Sequence, residues 1–215
     1  MSGALQAVFQ NQRSFGPPAI GSAFGGGFFA GQISTAGNGI ADFNLVIGPV
    51  ASAQVSATVY KNVNTSATGA DSVINGAQNT ADLVAGGNST VYPAAHFCNN
   101  LVTGGFSDWY FPAKNELEIC YYNLKPTTQS NNTSFGANTN AVPSRPSNYT
   151  AGTPAQTSAT NFRDTGSEDF AADAYWSSTE SSFANAYDQY FTGGIQFSRS
   201  KTNPRYVRAV RKVAV

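Results

Sequence analysis

A chain of 215 residues with zero net formal charge and only 11% charged side chains sits well below the roughly 25% usual in soluble domains. Sparse, balanced charge excludes a general affinity for nucleic acid or anionic membrane, and no stretch nears the ~18 apolar residues of a membrane-spanning helix. With 41% hydrophobic and 13% aromatic residues the chain can bury a core, which excludes wholesale disorder.

Gly, Ala, Ser, Thr and Asn take the place of charge, giving a surface that is polar but uncharged, as in assembled particles and extracellular adhesive proteins. Residues 1–31 read as a Gly-rich N-terminal arm for attachment or oligomer contact, and residues 32–215 as one domain. The arm carries Leu5, Val8, Phe9 and Phe15, a Gly16-Pro17-Pro18 break and the Gly25–Gly31 run. Phe28 and Phe29 need cover, either from the same domain or from a partner subunit. Arg13 precedes no apolar run with a cleavage site, so no signal peptide is expected.

Phe43–Ile47 and Gln54–Tyr60 are rich in strand formers and are separated by Gly48-Pro49. Asn79–Ala85 reads as a short helix ended by Gly86-Gly87. Tyr92–Leu101 is a better one, with Pro93 in its first turn and Ala94, Phe97, Cys98 and Leu101 on one face. Pro112–Leu124 repeats the device, its apolar stripe being Ala113, Leu117, Cys120, Tyr121 and Leu124. Residues 126–160 form a long polar loop, read as a display loop or an inter-subunit contact. A hairpin follows, Tyr187–Thr192 and Ile195–Ser200 about Gly193-Gly194, and Tyr206–Val213 is the last strand.

The chemistry-bearing residues form no catalytic or metal box. His96 is the only histidine and lies inside an amphipathic helix, away from any serine elbow. Cys98 and Cys120 are the only cysteines. Their spacing fits no redox or metal motif, and two apolar thiols in a helical core is preferred to a disulfide. Glu116 and Glu118, two apart on a helix, do not face the same way. No enzyme activity, cofactor or metal is expected. An acidic segment, Asp164 to Asp188, precedes a basic one, Arg199 to Lys212. The two either neutralise each other or leave a basic patch for an acidic glycan or a neighbouring subunit.

Gly105–Leu117, Tyr175–Glu180 and Val207–Arg211 together resemble the C-type-lectin-like modules of phage tail-fibre and virion surface proteins. These are similar in fold to phage tropism determinants and, more remotely, to formylglycine-generating enzymes. The resemblance covers about residues 90–215 and implies an α+β, C-type-lectin-like domain, two helices packed on a small twisted antiparallel sheet. Ligand-binding residues would lie on the late strands and loops. The calcium-lectin signatures Glu-Pro-Asn and Trp-Asn-Asp are absent.

The expectation is a phage virion surface protein, of tail-fibre or tail-tip type, that binds a host-cell surface glycan or protein. It would be a homo-oligomer assembled in the host cytoplasm, joined to other virion proteins through the arm, with no nucleic-acid partner and no membrane insertion. The alternative is capsid decoration or another structural role. Tyr187, Gln189, Gln196, Arg199 and Arg205 are the candidate contact residues, with the hairpin tyrosines equally open to a packing role. Trp109, Trp176 and Arg208 are read as structural, Arg208 pairing with Glu116 or Glu180.

Overall fold

In chain order the elements are β1 (Ala23–Phe24), β2 (Gly27–Ile33), β3 (Phe43–Ile47), the one-turn helix α1 (Val50–Ala53), β4 (Gln54–Thr58), α2 (Gly76–Gly86), α3 (Pro93–Asn99) and α4 (Lys114–Leu124). After these come β5 (Ala141–Val142), β6 (Ala174–Glu180), β7 (Asn185–Tyr190), β8 (Gln196–Ser200), β9 (Arg205–Arg208) and β10 (Val210–Ala214). The computed structural model describes residues 16–67 and 69–215. Leu5, Val8, Phe9 and Phe15 of the expected arm lie outside them.

The class is α+β, but one small sheet is replaced by two. The first has the order β1-β2-β3-β10 with β5 on β2, and the second β4-β9-β6-β7-β8. Pairing is antiparallel except where β6 meets β9 at Tyr175 and Tyr206. The expected last strand is really two, because Ala209 carries the chain from one sheet to the other. On the partner strand the same switch occurs at Gly48-Pro49 and α1. Gly48 N–H donates to the Ala209 carbonyl at 3.0 Å, and Ala209 N–H to that of Ala53 at 2.9 Å. A Cβ at Gly48 would lie 2.3 Å from the Ala53 Cβ and 3.3 Å from the Trp109 ring, so glycine lets α1 and the tryptophan close on this corner.

Alternation along the strands divides the core in two. Leu45, Ile47, Val210, Tyr175 and Phe191 face α4 and meet its Leu117, Ile119, Cys120, Tyr121 and Leu124. Val46, Val207, Ala209 and Trp176 face the other way, with Leu83 of α2 and Ala94, Ala95 and Cys98 of α3. The two expected helices therefore serve different clusters, while Trp109 and Trp176 share one. Cys98 and Cys120 are both buried and free, one in each cluster.

The expected boundary of the arm changes as well. Residues 27–33 are β2, hydrogen-bonded to β1, β3 and β5. At Gly31 (φ +138°) a Cβ would come within 2.8 Å of Ile119, and the neighbouring Ala30 carbonyl accepts from Asn123 Nδ2 at 2.7 Å. The glycine run thus lets α4 rest directly on the sheet, inside the domain instead of in an attachment arm.

Buried charges tie the loops to this frame. Glu116, fully buried, accepts from the Ala113 and Gly76 N–H groups at 2.8 and 3.2 Å. It also accepts from Tyr110 Oη at 3.1 Å and pairs with Lys212 at 2.9 Å. Glu118 points to the opposite side and holds the long loop through Arg145, Asn138 Nδ2 at 2.6 Å and Tyr149 Oη at 2.7 Å. Lys125 holds the same loop at the Asn131 side chain (2.8 Å) and the Gln129 carbonyl. Segment 126–160 is therefore fastened at several points, although β5 is its only strand among the described residues.

Arg208 pairs with Glu168 at 2.8 Å, and neither Glu116 nor Glu180 is its partner. Its Nε donates to the Gly48 carbonyl at 2.8 Å and Nη1 to that of Glu168 at 2.9 Å. The guanidinium therefore locks the sheet-to-sheet corner. Burial lowers its pKa to about 10, so it keeps its charge near neutral pH.

Candidate functional site

β7 and β8 pair with Tyr187 opposite Ser198 and Gln189 opposite Gln196. Tyr187, Gln189, Gln196 and Ser198 therefore share one face, and Asp188, Tyr190, Phe197 and Arg199 the other. The five expected contact residues do not form one patch. Tyr187, Gln189 and Gln196 are on the α4 side, while Arg199 and Arg205 cluster with Asp188 on the reverse.

On the first face Gln189 is not a surface contact. It is 1% exposed, in the pair next to the hairpin turn, and neither atom of its amide has a partner among the described residues. Tyr187 and Gln196 are half-buried and Ser198 is exposed. Lys114, the first residue of α4, lays its ammonium 4.6 Å from the centre of the Tyr187 ring, and its carbonyl accepts from Gln196 Nε2 at 3.4 Å. Burial lowers the Lys114 pKa below 10.5, against the pull of Glu118. Ser198 Oγ lies 2.6 Å from Ser181 Oγ.

Ser181 carries this shelf into a shallow polar hollow of about 260 Å³ lined also by Ser66, Asp71, Glu180, Ser182 and Phe183. Glu180 forms its wall, held by Lys201 at 3.1 Å and the Ala67 N–H at 2.5 Å. Phe183 at the rim is 65% exposed.

On the reverse face Arg205 Nε donates to Asp188 at 3.0 Å, and its Nη2 reaches Tyr190 Oη at 3.5 Å. Desolvation raises the Asp188 pKa above its ordinary value, with Arg205 and Arg199 pulling it back. Among the described residues Arg199 has no carboxylate partner in a salt bridge. It stacks on Phe197 at 4.2 Å, and its Nε has no partner among the described residues. The acidic and basic segments do lie side by side, through Lys201–Glu180, Arg205–Asp188 and Arg208–Glu168. Arg205 is thus committed within the fold, whereas Arg199 makes no salt bridge among the described residues.

The shelf presents a phenol ring, an amide, two serine hydroxyls and one ammonium, a set that hydrogen-bonds and stacks. Lys114, Ser181 and Ser198 are the members that sequence reasoning missed. Ser198 was available from strand alternation with Gln196. Lys114 and Ser181 depend on tertiary contacts across 73 and 17 residues that no local pattern announces. Elsewhere, His96 is engaged with the Gly87 carbonyl at 2.7 Å. Among the described residues no group of three His, Cys, Asp or Glu side chains is arranged to hold a metal ion, and no helix is long and apolar enough to cross a membrane.

Two sheets of short strands joined at a buried corner and packed with helices are compatible with a lectin-like module. Its fold is C-type-lectin-like and similar to that of the formylglycine-generating enzymes. The chain belongs to the family described as the Lcl C-terminal domain, whose model matches residues 64–211. The match includes Lys114 and the β7–β8 hairpin and begins after β4, so β1–β4 precede it. A search of curated proteins finds no match.

Proposed function

We propose that this lectin-like module is a phage virion surface protein, of tail-fibre or tail-tip type, that binds a host-surface glycan or protein and catalyses no reaction. The observation that carries the recognition reading is the shelf of Lys114, Tyr187, Gln196, Ser181 and Ser198, which is polar, partly exposed and fixed in place by α4. Family membership supports a surface, adhesin-like role, and the sparse charge suits a particle exterior. Assembly as a homo-oligomer, with the N-terminal residues joining the module to its particle, completes the proposal.

The test is adsorption of labelled protein to host cells. Tyr187→Ala, with near-ultraviolet circular dichroism unchanged, should weaken adsorption about tenfold, as loss of one aromatic contact worth about 1.4 kcal/mol does. Equal adsorption by both proteins would refute the assignment of the shelf.

The second reading is capsid decoration or another structural virion role. In that role the exposed apolar side chains of Ile40, Val102 and Phe183, 69%, 74% and 65% accessible, would serve as separate lattice contacts. Particles lacking the protein that adsorb normally but leak genome on heating would select it.

A further inference from the structure

A sheet edge is where one folded chain can accept a strand from another, and among the described residues every edge but one is guarded. β1 and β5 are two residues long. β4 is broken by a register shift between Val55 and Thr58, with Ala57 at φ +54°. β10 carries Lys212, and its Val210 exchanges both backbone bonds with Tyr110, at 2.8 and 3.0 Å. Short strands, bulges and lysines are the devices that keep an edge from pairing. β8 has none of them. Gln196–Ser200 pairs with β7 in unbroken register, contains no proline or lysine and ends the strand order of its sheet.

The hairpin fixes which backbone groups of β8 point outward. Tyr190 N–H donates to the Ile195 carbonyl at 2.9 Å, so Tyr190 and Ile195 form a hydrogen-bonded pair. Antiparallel pairs alternate, which turns Phe197 and Arg199 toward β7 and Gln196, Ser198 and Ser200 away from it. The Ser200 carbonyl accepts from the Asn203 N–H at 3.0 Å. The other outward groups have no backbone partner among the described residues. Ser198, at their centre, is exposed, and its neighbours on both sides are partly so.

We infer that β8 is the contact between two copies of this chain, paired antiparallel about a two-fold axis through Ser198. The segment fits itself. Ser198 meets the partner's Ser198, Gln196 the partner's Ser200, and Phe197 the partner's Arg199. Each outward N–H then faces an outward carbonyl. On the reverse face each guanidinium, already 4.2 Å from its own Phe197 ring, comes opposite a second one, a favourable cross-strand pair. No like charges lie directly opposite, and zero net charge removes long-range repulsion. A copy supplies this matching order by symmetry, whereas a foreign strand would need it by coincidence. The pairing also sets two shelves side by side, because Gln196 and Ser198 belong to both edge and shelf. A five-residue edge falls below the roughly 1,200 Å² of standard interfaces, so a dissociation constant on the order of 100 µM is expected. Tethering of many copies on one particle would overcome that weakness. The inference rests on the homo-oligomer part of the proposed function and gives it an interface; the adsorption reading does not depend on it.

Sedimentation velocity of the full chain, from about tenfold below to about tenfold above that dissociation constant, should show a monomer passing to a dimer. Amide exchange followed by NMR over the same range should slow at Gln196, Ser198 and Ser200 as the dimer forms. It should stay constant at Phe197 and Arg199, which are already bonded to β7. Ser198→Pro removes the central outward N–H where an edge strand tolerates proline, and should weaken association about tenfold or more. Ser198→Lys keeps that N–H but sets two ammonium groups opposite each other. It should weaken association too, and covers the case in which proline disturbs folding. Tyr187→Ala, on the inner strand, should leave association unchanged. A chain monomeric throughout the range overturns the inference, and the homo-oligomer with it. A dimer untouched by both Ser198 variants overturns the inference alone. So does protection of the three amides at every concentration, which would mean that the edge is covered within one chain. Protection that appears only with added host-cell extract would assign the edge to a foreign strand and overturn it as well.

Discussion

Replacing Glu116 by Gln tests whether one buried carboxylate holds the start of α4, and with it Lys114, in place. The side chain is fully buried and takes four donors, Ala113 N–H at 2.8 Å, Gly76 N–H at 3.2 Å, Tyr110 Oη at 3.1 Å and Lys212 Nζ at 2.9 Å. Glutamine keeps the shape and one carbonyl oxygen, which can serve the two backbone groups. Its NH2 then faces the Tyr110 hydroxyl and the Lys212 ammonium. Breaking a buried pair from one side costs about 3–5 kcal/mol. Lys212 keeps 12% of its side chain exposed, so water relieves part of this and the lower end, about 3 kcal/mol, is expected. Urea unfolding followed by the fluorescence of the buried Trp109 and Trp176 reads it directly. With a slope of about 3 kcal/mol/M the midpoint should fall by about 1 M. Adding Lys212→Met should restore part of the loss, because the stranded ammonium is removed with its partner. A midpoint within about 0.2 M of wild type, or strict additivity of the two changes, would refute the reasoning.

Arg208→Lys should cost about 2–4 kcal/mol, because an ammonium cannot span the Gly48 carbonyl, the Glu168 carbonyl and the Glu168 carboxylate together; the urea midpoint measures it. Burial pushes the Glu118 carboxyl above its ordinary 4.5, with Arg145, Asn138 and Tyr149 pulling it back. The folded state therefore holds this proton more tightly than the unfolded chain, so the stability it contributes is full below 4.5 and is lost as pH rises through the folded value. Stability measured across that window should show wild type losing ground to Glu118→Gln as pH rises; a constant gap would contradict the shift. Cys98 and Cys120 are buried and free, and desolvation raises both thiol pKa values. A thiol reagent should label neither in the native protein and both in denaturant.

Local chemistry made much of this fold legible before any coordinates. Strand formers over Phe43–Ile47, Pro93 opening α3, the apolar stripe of α4 and the Gly-Gly turn of the β7–β8 hairpin all act over a few residues, within the reach of propensity and periodicity. The opposed directions of Glu116 and Glu118 also follow from helix geometry alone. Of the site, the hairpin and Tyr187 and Gln196 were readable, since alternation places both on one face.

The rest was settled by contacts between distant segments. The glycines at 25–31 read as part of an attachment arm until α4 is laid on them, and Ala209 looks like mid-strand until Gly48 and Ala53 hydrogen-bond to it. Alternation separates the two faces of the hairpin but cannot say what covers each, so Gln189 passed for a contact residue and Lys114 went unseen. Sequence by itself determined which short segments would be strand or helix, because those preferences reside in neighbouring residues. Tertiary structure alone decided which side chains remained outside, because burial depends on what the rest of the chain brings against them.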